Sequence, residues 1–218
     1  MRILLVTDIH GDHEKLSEIL EKETYKAILC AGDLSDAEKY DEYNENLKNV
    51  VEEMDREEKF VKAVPGNMDP ERECVETLRQ HRINLHREIS SLKEYELVGY
   101  GGGITPFGTP FEPEGSDIKN ALETLQNRMR SDNKIALIHQ PPEDTEVDIA
   151  DGQHVGSEAV RDLLTESEFD LAVTGHIHES RGTDSLEGTK VVNPGPVMQG
   201  FYAVVETDGD ADIELKSL

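Results

Sequence analysis

Short apolar runs rich in β-formers alternate with amphipathic polar stretches along the whole 218-residue chain, which confines it to an α/β fold. Arg2 to Asp8 and Lys26 to Cys30 are almost continuously apolar, the form of strands buried on both faces. Between them Asp12 to Glu23 spaces Leu16, Ile19 and Leu20 as a helix does. After this βαβ opening comes a charged helical stretch, Asp36 to Arg56, in which Leu47, Val50, Val51 and Met54 form an i, i+3, i+4, i+7 stripe. A strand over Lys59 to Val64 follows, stopped by Pro65-Gly66. The pattern next predicts a helix over Glu71 to Gln80, a short strand or hairpin within Asn84 to Leu97, and a strand over Leu97 to Tyr100. A helix then runs from Ser116, its expected N-cap, to Arg130. Strands at Lys134 to His139 and Leu171 to Thr174 bracket a polar loop opened by Pro141-Pro142 and a helix over Ser157 to Glu166. The last three strands, Lys190 to Val192, Gly200 to Thr207 and Asp212 to Lys216, are expected to run antiparallel through turns at Asn193 to Pro196 and Asp208-Gly209. No repeat or linker divides the chain, so one domain over residues 1–218 is expected.

Charge narrows the function. With 22 Lys and Arg against 47 Asp and Glu the net charge is −25, a surface that repels nucleic acid and anionic lipid, so a phosphate ligand has to be recruited locally by a cation. So much acid, with no Trp and little Lys, predicts a halophilic protein, because molar salt shortens the Debye length to about 3 Å and relieves the self-repulsion. No apolar run approaches the length of a membrane span or a secretory core, and Cys30 and Cys74 form no framework. The sequence therefore reads as a cytoplasmic protein with two reduced thiols.

The chemistry lies where the His, Asp and Asn residues fall. Asp8, His10, Asp33, Asn67, His139, His176 and His178 all sit at or just past the C-terminal end of a predicted strand, the edge at which open α/β sheets bind ligands. Asp8 and His10, like His176 and His178, are two apart, so an extended chain points both members of each pair to one face. Taken singly these residues have plainer readings: Asp8 and Asp33 as helix caps, Gly66-Asn67 as a turn, His139 as a partly buried histidine. Their joint order at one edge sets them apart. Imidazole with carboxylate and amide oxygen suits Mn²⁺, Fe or Zn²⁺ better than Ca²⁺ or Cu(I).

Asp8-Ile9-His10, Gly32-Asp33, Gly66-Asn67-Met68-Asp69, His139 and Gly175-His176-Ile177-His178 resemble the five ordered motifs of the calcineurin-like metallophosphoesterases. The resemblance runs from Asp8 to His178. It implies a four-layer α/β/β/α sandwich of two mixed sheets flanked by helices, and two divalent metal ions, Mn²⁺ first and Fe, Zn²⁺ or Ni²⁺ as alternatives. By position, Asp8, His10 and His178 would hold one ion, Asn67, His139 and His176 the other, and Asp33 would bridge them. It implies hydrolysis of a small phosphate ester by a hydroxide shared between the ions, with Asp33, Asn67 and Asp69 in catalytic roles.

One position departs from the family. Its third motif usually reads Gly-Asn-His followed by an acid, the His helping the leaving oxygen depart. Here Met68 stands in that place, and a thioether donates no proton. Branches that share such a substitution, the small prokaryotic and archaeal ones among them, resemble phosphodiesterases. This favours diesters, with a phosphomonoesterase or nucleotide-derivative hydrolase as alternative and a non-catalytic protein-binding scaffold as a reading of another class. His154, just before the Ser157 helix, is the candidate replacement acid, or else an exposed loop histidine. Backbone amides at that helix start are a candidate phosphate contact. Gly101 to Gly103 reads as a turn, and His13, His81 and His86 as surface residues. The oligomeric state stays open.

Overall fold

The computed structural model describes residues 1–57, 59–207 and 211–218. In chain order its elements are β1 (Arg2–Val6), α1 (His13–Lys22), β2 (Ala27–Cys30), α2 (Tyr43–Asp55), β3 (Phe60–Ala63), α3 (Glu71–Gln80), β4 (Ile89–Leu92), β5 (Tyr95–Tyr100) and α4 (Gly115–Gln126). They continue with β6 (Asn133–Ile138), β7 (Ile149–Ala150), β8 (Gln153–His154), α5 (Glu158–Glu166), β9 (Leu171–Val173), β10 (Gly182–Leu186), β11 (Thr189–Asn193), β12 (Phe201–Glu206) and β13 (Asp212–Ser217). One sheet has the order β13-β12-β1-β2-β3, a second the order β10-β11-β9-β6-β5-β4, and β7 and β8 form a small hairpin.

Alternate residues of the same strand supply different cores, which explains the continuous apolar runs. In β1, Leu4 and Val6 face Leu16, Ile19, Leu47 and Val50 of α1 and α2. Ile3 and Leu5 face the other sheet, meeting the cluster that holds Ile135, Leu137, Leu171 and Val173. In β6, Ala136 and Ile138 turn outward to Ile118, Leu122, Val160 and Leu163 of α4 and α5. Three apolar layers between four structural layers make the α/β/β/α sandwich. The strands β1, β2 and β3 run parallel, as do β5, β6, β9 and β11, so their C-terminal ends form a common rim.

Several expectations change. The helical pattern from Asp36 starts its helix only at Tyr43, because the Asp36 carboxylate accepts the Glu38 and Lys39 N–H groups and closes a local turn instead. The N-cap of α4 is Glu114, not Ser116. The last three strands do not form one antiparallel set. β11 lies in the second sheet, parallel to β9 and antiparallel to β10, whose polar Gly-Thr-Asp-Ser sequence hides it from a hydrophobic pattern. Pro194 and Pro196 offer no N–H to a ladder, and there the chain crosses to the first sheet. β12 and β13 are antiparallel as expected. The Asp208-Gly209 turn lies outside the described residues.

Candidate metal centre

The seven predicted residues meet at the rim, each just past a strand: Asp8 and His10 after β1, Asp33 after β2, Asn67 after β3, His139 after β6, His176 and His178 after β9. The expected extended geometry is not how they converge. Asp8, His10, Asp33 and His176 all have left-handed φ (51°, 46°, 49° and 70°), so the backbone curls back and presents each side chain to the rim. Gly66 is required beside them: a Cβ there would lie 1.9 Å from Asp33 Oδ1.

The distances define two overlapping groups. Asp8 Oδ1 is 3.1 Å from His178 Nε2 and 4.0 Å from His10 Nε2. Asn67 Oδ1 is 3.0 Å from His139 Nε2 and 2.8 Å from His176 Nδ1. Asp33 Oδ2 lies between the groups, 3.6 Å from His10 Nε2 and 3.5 Å from His139 Nε2. Clusters of three able to hold a cation are Asp8, His10 and His178, and Asp8, Asp33 and His139, so Asp8 belongs to both.

Burial sets the electrostatics. It would raise the Asp8 carboxyl, yet the hydrogen bond from His178 and the charges of the surrounding histidines hold it well below the usual carboxylate range. Asp33 is likewise held down against its burial, mainly by His139. Burial lowers His139, but Asp33 and Asp8 outweigh it and carry the ring up to about 9. Burial and the neighbouring His139 push His176 down to about 4.

Two catalytic assignments change. Asp69 does not face the rim. Its carboxylate is fully buried and accepts the N–H groups of Gly66, Leu34 and Ser35 at 2.9, 3.0 and 3.0 Å and the Tyr43 hydroxyl at 2.9 Å. It ties the loops after β2 and β3 together and is a positioning residue; burial and the charge of Asp33 carry its carboxyl up to about 6. His154 also points elsewhere. Gln153 and Val155 line the cavity over the site, while the intervening His154 sits on the other face of β8 with Nδ1 2.7 Å from Oδ1 of the buried Asp148. Three of the amides at the start of α5 have protein partners: Gly156 N–H donates to Asp148, Ser157 N–H to the Pro141 carbonyl and Val160 N–H to the Ser157 hydroxyl.

His86 is not a surface residue. It is 2% exposed between Tyr100 and Phe111, accepts the Gly101 N–H at Nδ1, and burial with Arg87 and Arg79 pushes it down to about 3. Gly101 to Gly103 form irregular backbone rather than the expected turn, with Gly102 N–H bonded to the Pro65 carbonyl and Gly103 N–H to that of Phe111. Sequence reasoning missed Asp36, whose Oδ2 lies 3.4 Å from His10 Nδ1 and orients that ring, and Thr7, whose hydroxyl donates to Asp8 Oδ2 at 2.7 Å. Asp36, three residues past Asp33, was hidden in a charged helical pattern; Thr7 carries no signal of its own.

The donor set fits divalent cations, because imidazole nitrogens, carboxylate oxygens and an amide oxygen converge on one another at the rim. His139 donates from Nδ1 to the Ala31 carbonyl at 2.7 Å, which turns Nε2 toward Asn67 Oδ1, where the proton it carries without metal gives way to a cation. His10 Nε2 and His178 Nε2 face each other at 3.2 Å beside two carboxylates. A proton or a cation is needed between such groups, and imidazole with carboxylate oxygen is a common donor set for transition metals.

Comparison with known proteins agrees with this geometry. The family model for calcineurin-like phosphoesterases matches residues 1–180. An uncharacterized protein of Methanocaldococcus jannaschii is 32% identical over 210 residues, 93% of this chain and 91% of that protein. Among solved structures, a protein of Thermus thermophilus has the same fold with a TM-score of 0.80 at 20% identity, covering 99% of this chain and 98% of that one. A dimetal phosphatase from Danio rerio has a TM-score of 0.70 at 14% identity, covering 100% and 96%. No helix among the described residues is long and apolar enough to cross a membrane. Matched over residues 1–180 and carrying the donor set that a dinuclear divalent centre requires, the chain belongs to the calcineurin-like phosphoesterases, a family of metal-dependent phosphoester hydrolases.

Proposed function

We propose that residues 1–218 form a single metallophosphoesterase domain that hydrolyses small phosphodiesters. Asp8, His10 and His178 would hold one divalent ion, Asn67, His139 and His176 the other, and Asp33 would be shared, with Mn²⁺ the preferred metal. The observation that carries this reading is the position of Asp33 Oδ2, 3.6 and 3.5 Å from one imidazole of each group. When bound, the two ions supply Lewis acidity toward phosphate oxygens and acidify water. β12 and β13 support the single domain, since they complete the sheet that begins with β1 although they follow the matched segment. The buried free thiols Cys30 and Cys74 support a reducing cytoplasmic setting.

The chain's own residues favour a diester. The centre opens into a cavity of about 710 Å³ whose described lining includes Asp33, Glu38 and Asp151 and no Lys or Arg. Beyond the two cations, which attract either charge state, the acids Glu38 and Asp151 oppose a second negative charge on the ester more than a single one. Hydrolysis joins a water oxygen to phosphorus and breaks the phosphorus–alcohol bond, and the alcohol leaves with a proton unless it is acidic enough to leave as the anion. Met68 lines the cavity and supplies no such proton, a loss of about 10²- to 10⁴-fold for poor leaving groups.

The test compares hydrolysis of a bis-aryl phosphodiester and the matching aryl monoester with added Mn²⁺, with Asp33→Asn as blank and the bound metal counted. Faster diester cleavage, lost in the blank, is expected. Faster monoester cleavage replaces the diesterase with a phosphomonoesterase. No turnover in protein holding two metals points to the protein-binding scaffold.

A further inference from the structure

Four large apolar side chains among the described residues are exposed: Ile104, Phe107, Val155 and Leu218. Three of them, Ile104, Phe107 and Val155, line the one cavity into which His10, Asp33, Asn67, His176 and His178 open. Phe107 is 83% exposed, so water rather than protein covers its ring. A protein with a net charge of −25 has many polar residues to place at a surface, and the concentration of its exposed apolar groups beside the candidate centre marks a binding surface.

The loop that carries Phe107 is built rather than loose. Its root is tied to the centre, Phe111 N–H donating to the carbonyl of Asn67 at 3.0 Å and Ile104 N–H to Oε1 of the buried Gln140 at 2.6 Å. Its tip is closed by Glu112, whose Oε1 accepts the N–H and the hydroxyl of Thr109 at 2.8 Å each and also the hydroxyl of Thr105. Phe107 N–H donates to Thr105 Oγ1 at 3.2 Å. The hydroxyls of Thr105 and Thr109 are engaged by Glu112 within the loop, and the aromatic ring of Phe107 lines the cavity.

We propose that Phe107, with Ile104 and Val155, determines specificity by seating an uncharged aromatic ring of the substrate's alcohol portion while the phosphate lies at the centre. This rests on the phosphodiesterase reading and narrows its substrate class to aryl esters. The acids Glu38 and Asp151 in the same lining disfavour an anionic alcohol such as one carrying a polyphosphate extension. Met68 is an independent observation in the same direction. A site without a proton donor at that position suits an alcohol that departs as its own anion, and phenols, with a pKa of about 10, are such alcohols.

The test uses the Mn²⁺-loaded full chain and two non-hydrolysable monoanions, diphenylphosphinate and dimethylphosphinate, with binding measured by calorimetry. The preference for the diphenyl compound is expected to fall about 5- to 10-fold in Phe107→Ala and to be kept in Phe107→Tyr, the size of one aromatic contact. The ratio of kcat/KM for aryl over alkyl diesters falls in parallel, leaving-group chemistry cancelling between variants. Exposure of Phe107 makes loss of folding an unsuitable explanation, and equal Tm values check it. An unchanged preference in Phe107→Ala, or a Tyr variant as weak as Ala, overturns the aromatic seat while bis-aryl turnover leaves the phosphodiesterase reading standing. If no ester is cleaved and neither phosphinate binds, both fall together.

Discussion

Glu23 offers a quantitative test of how the ends of the chain are held. It follows α1, its side chain is 7% exposed, and its oxygens receive Arg2 at 2.8 Å from β1, Lys216 at 2.7 Å from β13 and the Tyr202 hydroxyl at 2.9 Å from β12. Burial opposes ionisation, but the hydrogen bonds from Lys216, Arg2 and Tyr202 outweigh it and lower the carboxyl from 4.5 to about 2. A carboxylate lowered on folding adds stability above its unfolded pKa and loses it as pH falls toward the folded one, so the window lies between 4.5 and about 2. At about 1.36 kcal/mol per pH unit the ceiling is about 3.4 kcal/mol at pH 7, falling to about 2 kcal/mol at pH 3.5. Glu23→Gln removes this titration and keeps the shape. Urea unfolding of both proteins at fixed KCl, followed by circular dichroism, should show a stability gap at pH 7 that narrows by about 1.4 kcal/mol at pH 3.5. A gap of the same size at both pH values refutes the reasoning, because a pH-independent loss comes from packing and neutral hydrogen bonds.

Other outcomes follow from the centre and the surface. Asp69→Asn turns an amide NH₂ toward backbone N–H donors and should cost about 2–4 kcal/mol in urea unfolding, with weaker Mn²⁺ binding by calorimetry. A Cβ at Gly103 would lie 2.8 Å from His176 Cε1 and 3.0 Å from Asn67 Oδ1, so Gly103→Ala should displace both side chains. Elemental analysis is expected to find about one metal per chain in place of two, with the circular dichroism spectrum unchanged. Tm should rise from low to molar KCl, since screening relieves a net charge of −25; a flat or falling series removes the halophilic reading.

The sequence disclosed the strands and the donors because both follow from short-range rules. A run such as Ile3 to Val6 is apolar throughout only if both faces are covered, and the first reactive groups after it stand at the rim. What it concealed depends on partners far along the chain. Asp36 has the same charge as the helix residues after it, and only the fold places it against His10. Asp69 stands in the motif as an acid, yet its four donors come from β2 and β3 loops and from Tyr43. His86 looks polar among Leu85 and Arg87, and its burial comes from Tyr100 and Phe111. β10 is too polar for periodicity, and it forms because β11 is already held by β9.

The curled ligand loops show which part of the molecule sets the geometry of the centre. Ten non-glycine residues among those described have left-handed φ, and four are Asp8, His10, Asp33 and His176, at about 1–2 kcal/mol each. Conformations of that cost persist only where surrounding contacts enforce them, and the contacts are at hand. Asp8 N–H bonds to the Gly32 carbonyl and His10 N–H to the Asp33 carbonyl, both at 2.9 Å, so the loops after β1 and β2 hold each other. Asp33 Oδ1 accepts the Met68 N–H at 2.8 Å, and Asp8 accepts the His176 N–H at 3.2 Å, which links the two sheets through the candidate ligands themselves. Protein contacts therefore hold the donors in place, so cation binding does not have to supply the energy of ordering them. The fold stores the strain at the rim, where the four curled residues serve the chemistry, and the interlocked loops and the buried Asp69 clamp offset it.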